Sequence, residues 1–312
     1  MIHYYCIDQG IQATENKEAA NWLQLQSPSK GEVQAIIDKF QLPADIFIAS
    51  ERPDEVARLE HIDSLGPDRF YELVIFNINP KDSLPMEEQI QPISFIFSDK
   101  VLITCSNQDS DIMDVLLTNY QDQVTSIESF ILYAILHIYR LFIEQLDILK
   151  SDIDVLDQNA RKTMSAQELF TLADTERELV FIDHTLKDQA LAMATLWKEE
   201  AFINRVQNPS LIYDVKLAQR HADKLVNIYR DLLQSIGGLF SDMMSHRLNL
   251  LMKFLNSAAL ILSIPTLISG IWGMNSQVPG EGTTEGFYLV VIIGAICTFL
   301  FALYLKHKDF TK

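Results

Sequence analysis

The sequence predicts an α/β N-terminal cytoplasmic domain, a long helical stalk and two C-terminal transmembrane helices. Three observations carry this prediction. Up to about residue 106, short alternating apolar stretches are broken by turn residues. From residue 126 onward, apolar positions recur at helical spacing. The last 60 residues hold two long runs without a charged residue.

In order, IHYYCI (2–7), EVARLEHI (55–62), FYELVIFNI (70–78), PISFIFS (92–98) and VLITCS (101–106) read as strands. Gly66-Pro67-Asp68, Asn79-Pro80 and Ser98-Asp99 punctuate them. GEVQAIIDKF (31–40) and SDIMDVLLTNY (110–120) read as helices. Thr125 to Glu128 and Ser165 to Glu168 have capping-box spacing, which predicts helices over 126–161 and from about 166 to 205. FILYAILHIYRLFI (130–143) is apolar but short. It also carries His137 and Arg140, which are costly near a bilayer centre, so it reads as the buried face of a helix. Asn208-Pro209 is a third helix start, and no proline follows until Pro265. One helix continuing into the first apolar run would be on the order of 90–100 Å long. Gly237-Gly238 would bend it or break it in two. The expected divisions are 1–124, 125–252 and 253–312.

Charge divides the chain the same way. Its net charge is −17, and residues 253–312 hold four lysines against Glu281, Glu285 and Asp309. Residues 1–252 therefore carry 39 of the 42 acidic and 21 of the 25 basic groups, a balance of −18. Such a surface repels phosphate backbones, which excludes nucleic acid as the expected partner, and attracts divalent cations. Cys6, Cys105 and Cys297 are far apart and odd in number, which suits a reducing compartment better than a disulfide framework. The first ten residues have no basic stretch followed by an apolar run, so no leader is expected. No catalytic constellation stands out, and a non-enzyme is expected.

FLNSAALILSIPTLISGIW (254–272) and GFYLVVIIGAICTFLFALYL (286–305) are each long enough to cross about 30 Å of hydrocarbon, so spans are expected at about 253–273 and 286–305. Phe287, Tyr288 and Tyr304 stand at the ends of the second, as interfacial aromatics do. The loop between the runs has no Lys or Arg. Arg247 and Lys253 precede the first run, and Lys306, Lys308 and Lys312 follow the second. The positive-inside rule then predicts a multi-pass cell-membrane protein with both termini cytoplasmic. Arg247 and Lys253 read as a basic collar at that interface, or as snorkelling anchors.

Stepping by three and four along the first run gives Asn249, Met252, Asn256, Ala259, Ser263, Thr266, Gly270 and Gly273 on one face. Amides and hydroxyls are poor neighbours for lipid. Two arrangements accommodate the stripe: a dry seam between helices packed through small residues, or the wall of a pore. A pore requires a ring, because two spans enclose nothing. Asn275 follows Gly273-Met274, and a ring of its carbonyls could hold the water shell of Mg²⁺, which sheds its waters reluctantly. Glu281 and Glu285 would concentrate cations at the mouth, or are ordinary solvated loop acids.

Asn249-Leu-Leu-Met252-Lys253-Phe-Leu255 and Pro265-Thr266 through Gly270-Ile271-Trp272-Gly273-Met274-Asn275 resemble the CorA magnesium-transporter family. The resemblance implies a funnel-shaped homopentameric channel whose first span lines the pore. Mg²⁺ would be both transported and regulatory. Gly273, Met274 and Asn275 would form the selectivity filter, and Asn249, Met252, Leu255, Asn256, Ala259, Ser263 and Thr266 would line the pore. It implies Asp214 as an acid that shares a regulatory cation between subunits. Trp272 and Ser276 depart from the tyrosine and aromatic residue usual there, and Ser263 from an apolar one. Relatives that carry Zn²⁺, Co²⁺ or Ni²⁺ supply an alternative cargo. A membrane-anchored scaffold, with the stripe serving only packing, is the alternative of a different class.

Overall fold

A computed structural model describes residues 1–47, 55–62, 69–79, 84–106, 112–160, 166–274, 280 and 282–307. They form two compact units, Met1–Ile236 and Gly237–Lys312.

The first unit is built on one seven-stranded sheet: β1 Ile2–Ile7, β2 Ile11–Ala13, β3 Trp22–Gln26, β4 Arg58–Ile62, β5 Phe70–Ile78, β6 Ile90–Phe97 and β7 Leu102–Ser106. The strand order is β2-β1-β3-β7-β6-β5-β4. The β3–β7 pair is parallel and the other pairs are antiparallel. β2 and β3 escape the sequence reading. β2 has three residues, too few to show a period. β3 is covered on both faces, so Trp22, Leu23, Gln24 and Leu25 are all buried and polarity does not alternate with side.

Pleating sends alternate residues of β3 to opposite layers. Leu23 and Leu25 join Ile103 and Cys105 of β7 and Ile36 and Ile37 of helix α1, Lys30–Phe40. Ser29 caps α1 in a reciprocal box with Glu32. Trp22 points the other way, stacking on Tyr5 and packing at a tilt against Phe130, at 4.3 and 4.5 Å between ring centroids. Its indole N–H donates to Thr104 Oγ1 at 3.1 Å. A short helix α2, Met86–Gln89, precedes β6, and α3, Ile112–Asn119, follows β7.

Two long helices, α4 Ile127–Ala160 and α5 Ala166–Leu196, complete the second layer. Phe130, Ile131, Ile135, Ile138 and Phe142 of α4 are fully buried, as residues 130–143 require if they do not span a membrane. The cap of α4 lies one residue later than its spacing suggests. The Ser129 amide donates to Ser126 Oγ at 3.1 Å, and the Ser126 amide donates to Ser129 Oγ at 3.0 Å. Glu128 is thereby released to pair with Arg205 at 3.3 Å. Ser165, read as the cap of α5, lies outside the described residues.

The single helix expected from about 166 to 205 is two helices. After Leu196 the bonding tightens: Lys198 N–H donates to the Thr195 carbonyl and Glu199 N–H to that of Leu196, at 3.0 and 3.1 Å. The chain restarts as α6, Glu200–Val206. This break lets Phe202 pack edge-on against Phe97 and lets Arg205 reach Asp99 and Glu128. Gln189 of α5 donates to the Phe76 carbonyl at 3.1 Å, and Arg177 forks onto both oxygens of Glu87 at 2.9 Å. The last helices are α7, Pro209–Trp272, and α8, Thr284–His307. Asn208 caps α7 through Oδ1, which accepts from the Leu211 amide at 3.2 Å. α7 is helical through Gly237 and Gly238, so the alternative of two separate helices falls.

β5 also buries an acid. Glu72 is 4% exposed and lies 3.3 Å from Arg58, and among the described residues its other oxygen has no hydrogen-bond partner. Burial pushes its carboxyl up to about 7 against the opposing pull of Arg58. The folded state therefore holds this proton more tightly than the unfolded chain, and stability contributed below the ordinary glutamate range is lost as pH rises toward 7. Glu72→Gln is expected to raise the melting temperature of the first unit at pH 8 and to change it little at pH 5. Thermal melts of the detergent-solubilised chain at the two pH values check this.

Candidate ion-conducting face and a basic groove

In the second unit α8 covers one side of α7. From Leu251 to Trp272, the positions of α7 that are not exposed are Ser257, Ala258, Ile261, Ile264, Pro265, Ile268 and Trp272. Those of α8 recur by four at Gly286, Val290, Gly294 and Thr298, followed by Phe301, Ala302 and Leu305. A Cβ at Gly294 would meet no heavy atom within 4 Å, so the close approach on this row is at Gly286. A Cβ at Gly286 would stand 2.2 Å from the Gly280 carbonyl oxygen.

The candidate stripe faces away from α8. Asn249, Met252, Leu255, Asn256, Ala259, Ser263, Thr266 and Gly270 are all exposed, as are Gly273 and Met274. Near the end of α7 the stripe forms a shallow groove of about 710 Å³, in which Ser263, Thr266 and Gly270 alternate with Leu262, Leu267 and Ile271. These apolar rims were not legible in the sequence, where leucine and isoleucine in a span read simply as lipid contacts.

Ser263 Oγ donates to the Leu260 carbonyl at 2.8 Å, and Thr266 Oγ1 to that of Leu262 at 2.9 Å. The hydroxyls are satisfied within their own helix, so hydrogen bonding alone does not drive them from lipid. What remains is the pair of amides, Asn249 and Asn256, and the placement of every small or polar member on the side that α8 leaves open.

α7 ends in a tightened turn. Gly273 N–H donates to the Ser269 carbonyl at 2.9 Å and Met274 N–H to that of Ile271 at 3.4 Å. A Cβ at Gly273 would lie 3.2 Å from the Ser269 carbonyl oxygen, so glycine fits this turn most easily. Asn275 and Glu281 lie outside the described residues, as do Lys308 and Lys312. Glu285 is exposed in the first turn of α8, where a carboxylate suits the helix dipole. Arg247 and Lys253 are exposed on α7.

Asp214 lies apart from these residues, in the first unit. It lines a groove of about 730 Å³ between α4 and α7 together with Leu136, Arg140, Leu217, Arg220 and Lys224. Within the single chain Asp214 is one carboxylate beside three cationic side chains; the other ligands of a cation shared between subunits would belong to the next copy. These basic surroundings were not legible beforehand, because Arg140 is 74 positions from Asp214 and only the packing of α4 on α7 joins them.

Residues 17–307 match the family described as CorA-like Mg²⁺ transporter protein. The chain belongs to this family. It is 22% identical over 174 residues to the cobalt/magnesium transport protein CorA of Methanocaldococcus jannaschii, covering 55% of each chain. It is 22% identical over 176 residues to the protein of the same description from Thermotoga maritima, covering 56% of this chain and 49% of that one. The aligned stretch thus spans about half the length of these curated relatives. The complete structure of the M. jannaschii CorA magnesium transporter superposes with a TM-score of 0.81 at 15% identity, over 99% of this chain and 98% of that one. The CorA fold therefore holds from the sheet to the two C-terminal apolar helices.

Proposed function

We propose that the chain is one subunit of a homopentameric channel in the cell membrane that admits divalent cations, chiefly Mg²⁺, down the membrane potential. The observation that carries this reading is the exposed stripe of α7, turned from α8 and ending at Gly273-Met274. Five such faces around an axis would enclose a polar path. Rings of Asn249 and Asn256 would flank apolar constrictions at Met252 and Leu255, with Ala259, Ser263 and Thr266 above. The family membership supports the cargo class, and the curated relatives' description adds cobalt as a second ion.

The energetics need no nucleotide. Two charges moved across 100 mV gain about 4.6 kcal/mol. The Asn275 ring would act through neutral oxygens on a hydrated ion, so the ion need not be stripped. Glu285, with Glu281, would raise the local cation concentration. Arg247 and Lys253 would form the collar at the cytoplasmic boundary, with both termini on that side. Internal Mg²⁺ would regulate the assembly by relieving repulsion between cytoplasmic parts that carry −18 each over residues 1–252.

Reconstitution into liposomes tests the whole reading. With a potassium diffusion potential, interior negative, and no nucleotide, Mg²⁺ is expected to enter vesicles that contain the protein. Co²⁺ should compete, and a proton gradient should add nothing. Absence of Mg²⁺, Co²⁺, Ni²⁺ and Zn²⁺ uptake by a correctly assembled ring would leave the scaffold reading in possession.

A further inference from the structure

In the groove on the open side of α7, the polar side chains are two hydroxyls, Ser263 and Thr266; the other lining residues are apolar or glycine. A hydroxyl has one proton to give and two lone pairs with which to receive. Ser263 gives its proton to the Leu260 carbonyl at 2.8 Å, and Thr266 gives its own to that of Leu262 at 2.9 Å. Both residues are exposed. What they offer to the groove is therefore oxygen lone pairs, with no hydrogen left to donate. The bonds that make these hydroxyls tolerable in lipid also fix their polarity in water.

Such a wall accepts hydrogen bonds and donates none from its side chains. Water in the shell of a cation points its hydrogens outward and finds acceptors here. An anion needs donors and finds none. This preference requires no charged residue, and residues 254–272 hold none. Spacing adds a second constraint. Ser263 and Thr266 are three residues apart, so their levels differ by about 4.5 Å along the helix. Mg²⁺ holds its waters at about 2.1 Å, and each water donates across about 2.8 Å. In a ring of copies, one hydrated ion between the two levels reaches both without losing a water.

We infer that Ser263 is a specificity-determining residue of the channel, forming with Thr266 a two-level acceptor station that holds one hydrated divalent cation by its water shell. The inference rests on the channel reading above and deepens it. The departure at position 263 thereby gains a role. An apolar side chain, as the family resemblance puts there, would form a ring that expels water. Serine keeps the path wet between Thr266 and the apolar levels at Leu255 and Met252.

The full chain in liposomes tests this, with an interior-negative potential and the initial rate of Mg²⁺ entry followed over a range of external Mg²⁺. Ser263→Ala is expected to raise the half-saturating concentration by about fivefold or more, with the oligomer mass unchanged. Ser263→Thr keeps the acceptor through the kind of bond that Thr266 makes, and should bring the value back toward that of the unmutated chain. Thr266→Val removes the other level and should raise it similarly. The double variant, Ser263→Ala with Thr266→Val, decides whether one ion touches both levels. If it does, the combined rise falls short of the product of the single rises. An unchanged half-saturating concentration in Ser263→Ala, a fall in maximal rate alone, no return in Ser263→Thr, or single effects that multiply in full would overturn the inference and leave the channel reading standing. Dissociation of the oligomer in Ser263→Ala, or an intact unmutated ring that admits no divalent cation, would overturn the channel reading as well.

Discussion

Asn275→Ala is expected to cut potential-driven Mg²⁺ uptake into liposomes by about tenfold or more while leaving the oligomer intact. Alanine removes the only side-chain carbonyl in Gly273-Met274-Asn275, and with it the acceptor ring that would face the ion's water shell. The backbone turn is held by bonds among Ser269, Ile271, Gly273 and Met274, which the substitution does not touch. Asn275→Asp is the informative companion. It keeps the acceptor but, in the proposed ring, would add five negative charges at one level, so it should retain uptake while slowing release of the bound ion. Ion flux by a fluorescent indicator, read beside oligomer mass, checks both. Unchanged uptake in Asn275→Ala would remove the filter assignment.

The second large effect is expected at Gly270. A Cβ placed there meets no heavy atom within 4 Å in the single chain. Leucine is also a better helix former than glycine by roughly 1 kcal/mol, so Gly270→Leu is expected to fold as well within one subunit, which circular dichroism of the variant checks. Any loss must then come from what the face meets in the assembly. In a wet pore, five leucines at one level narrow the path and expel water, and uptake should fall by about tenfold or more with the ring preserved. In a dry seam, the same side chains would force neighbouring helices apart and the oligomer would dissociate. Measuring mass and flux on one sample distinguishes the two, and dissociation would sink the channel reading.

Much of the fold was legible because its signals are local. The strands at 2–7 and 70–78, the Asn208-Pro209 start and the two apolar runs depend on alternation, caps and length alone. β3 was hidden because a strand buried on both faces has no polarity pattern to read. The break after Leu196 was hidden because it serves Phe202 and Arg205, whose partners Phe97, Asp99 and Glu128 lie far away in sequence. The stripe on α7 was legible as a face, yet its meaning shifted once Ser263 and Thr266 proved to bond their own helix.

By itself, the sequence determined the charge division, the two apolar runs, the small and polar stripe and the Gly-Met-Asn terminus. All of these are properties of residue type and spacing along one helix or one segment. Only the tertiary structure decided which side of α7 remains open beside α8, and that Asp214 shares its groove with Arg140, Arg220 and Lys224. The physical reason is that electrostatic character belongs to neighbourhoods in space. An aspartate read along its own helix is an acid awaiting a cation; packed against α4, it is the minority charge in a basic groove.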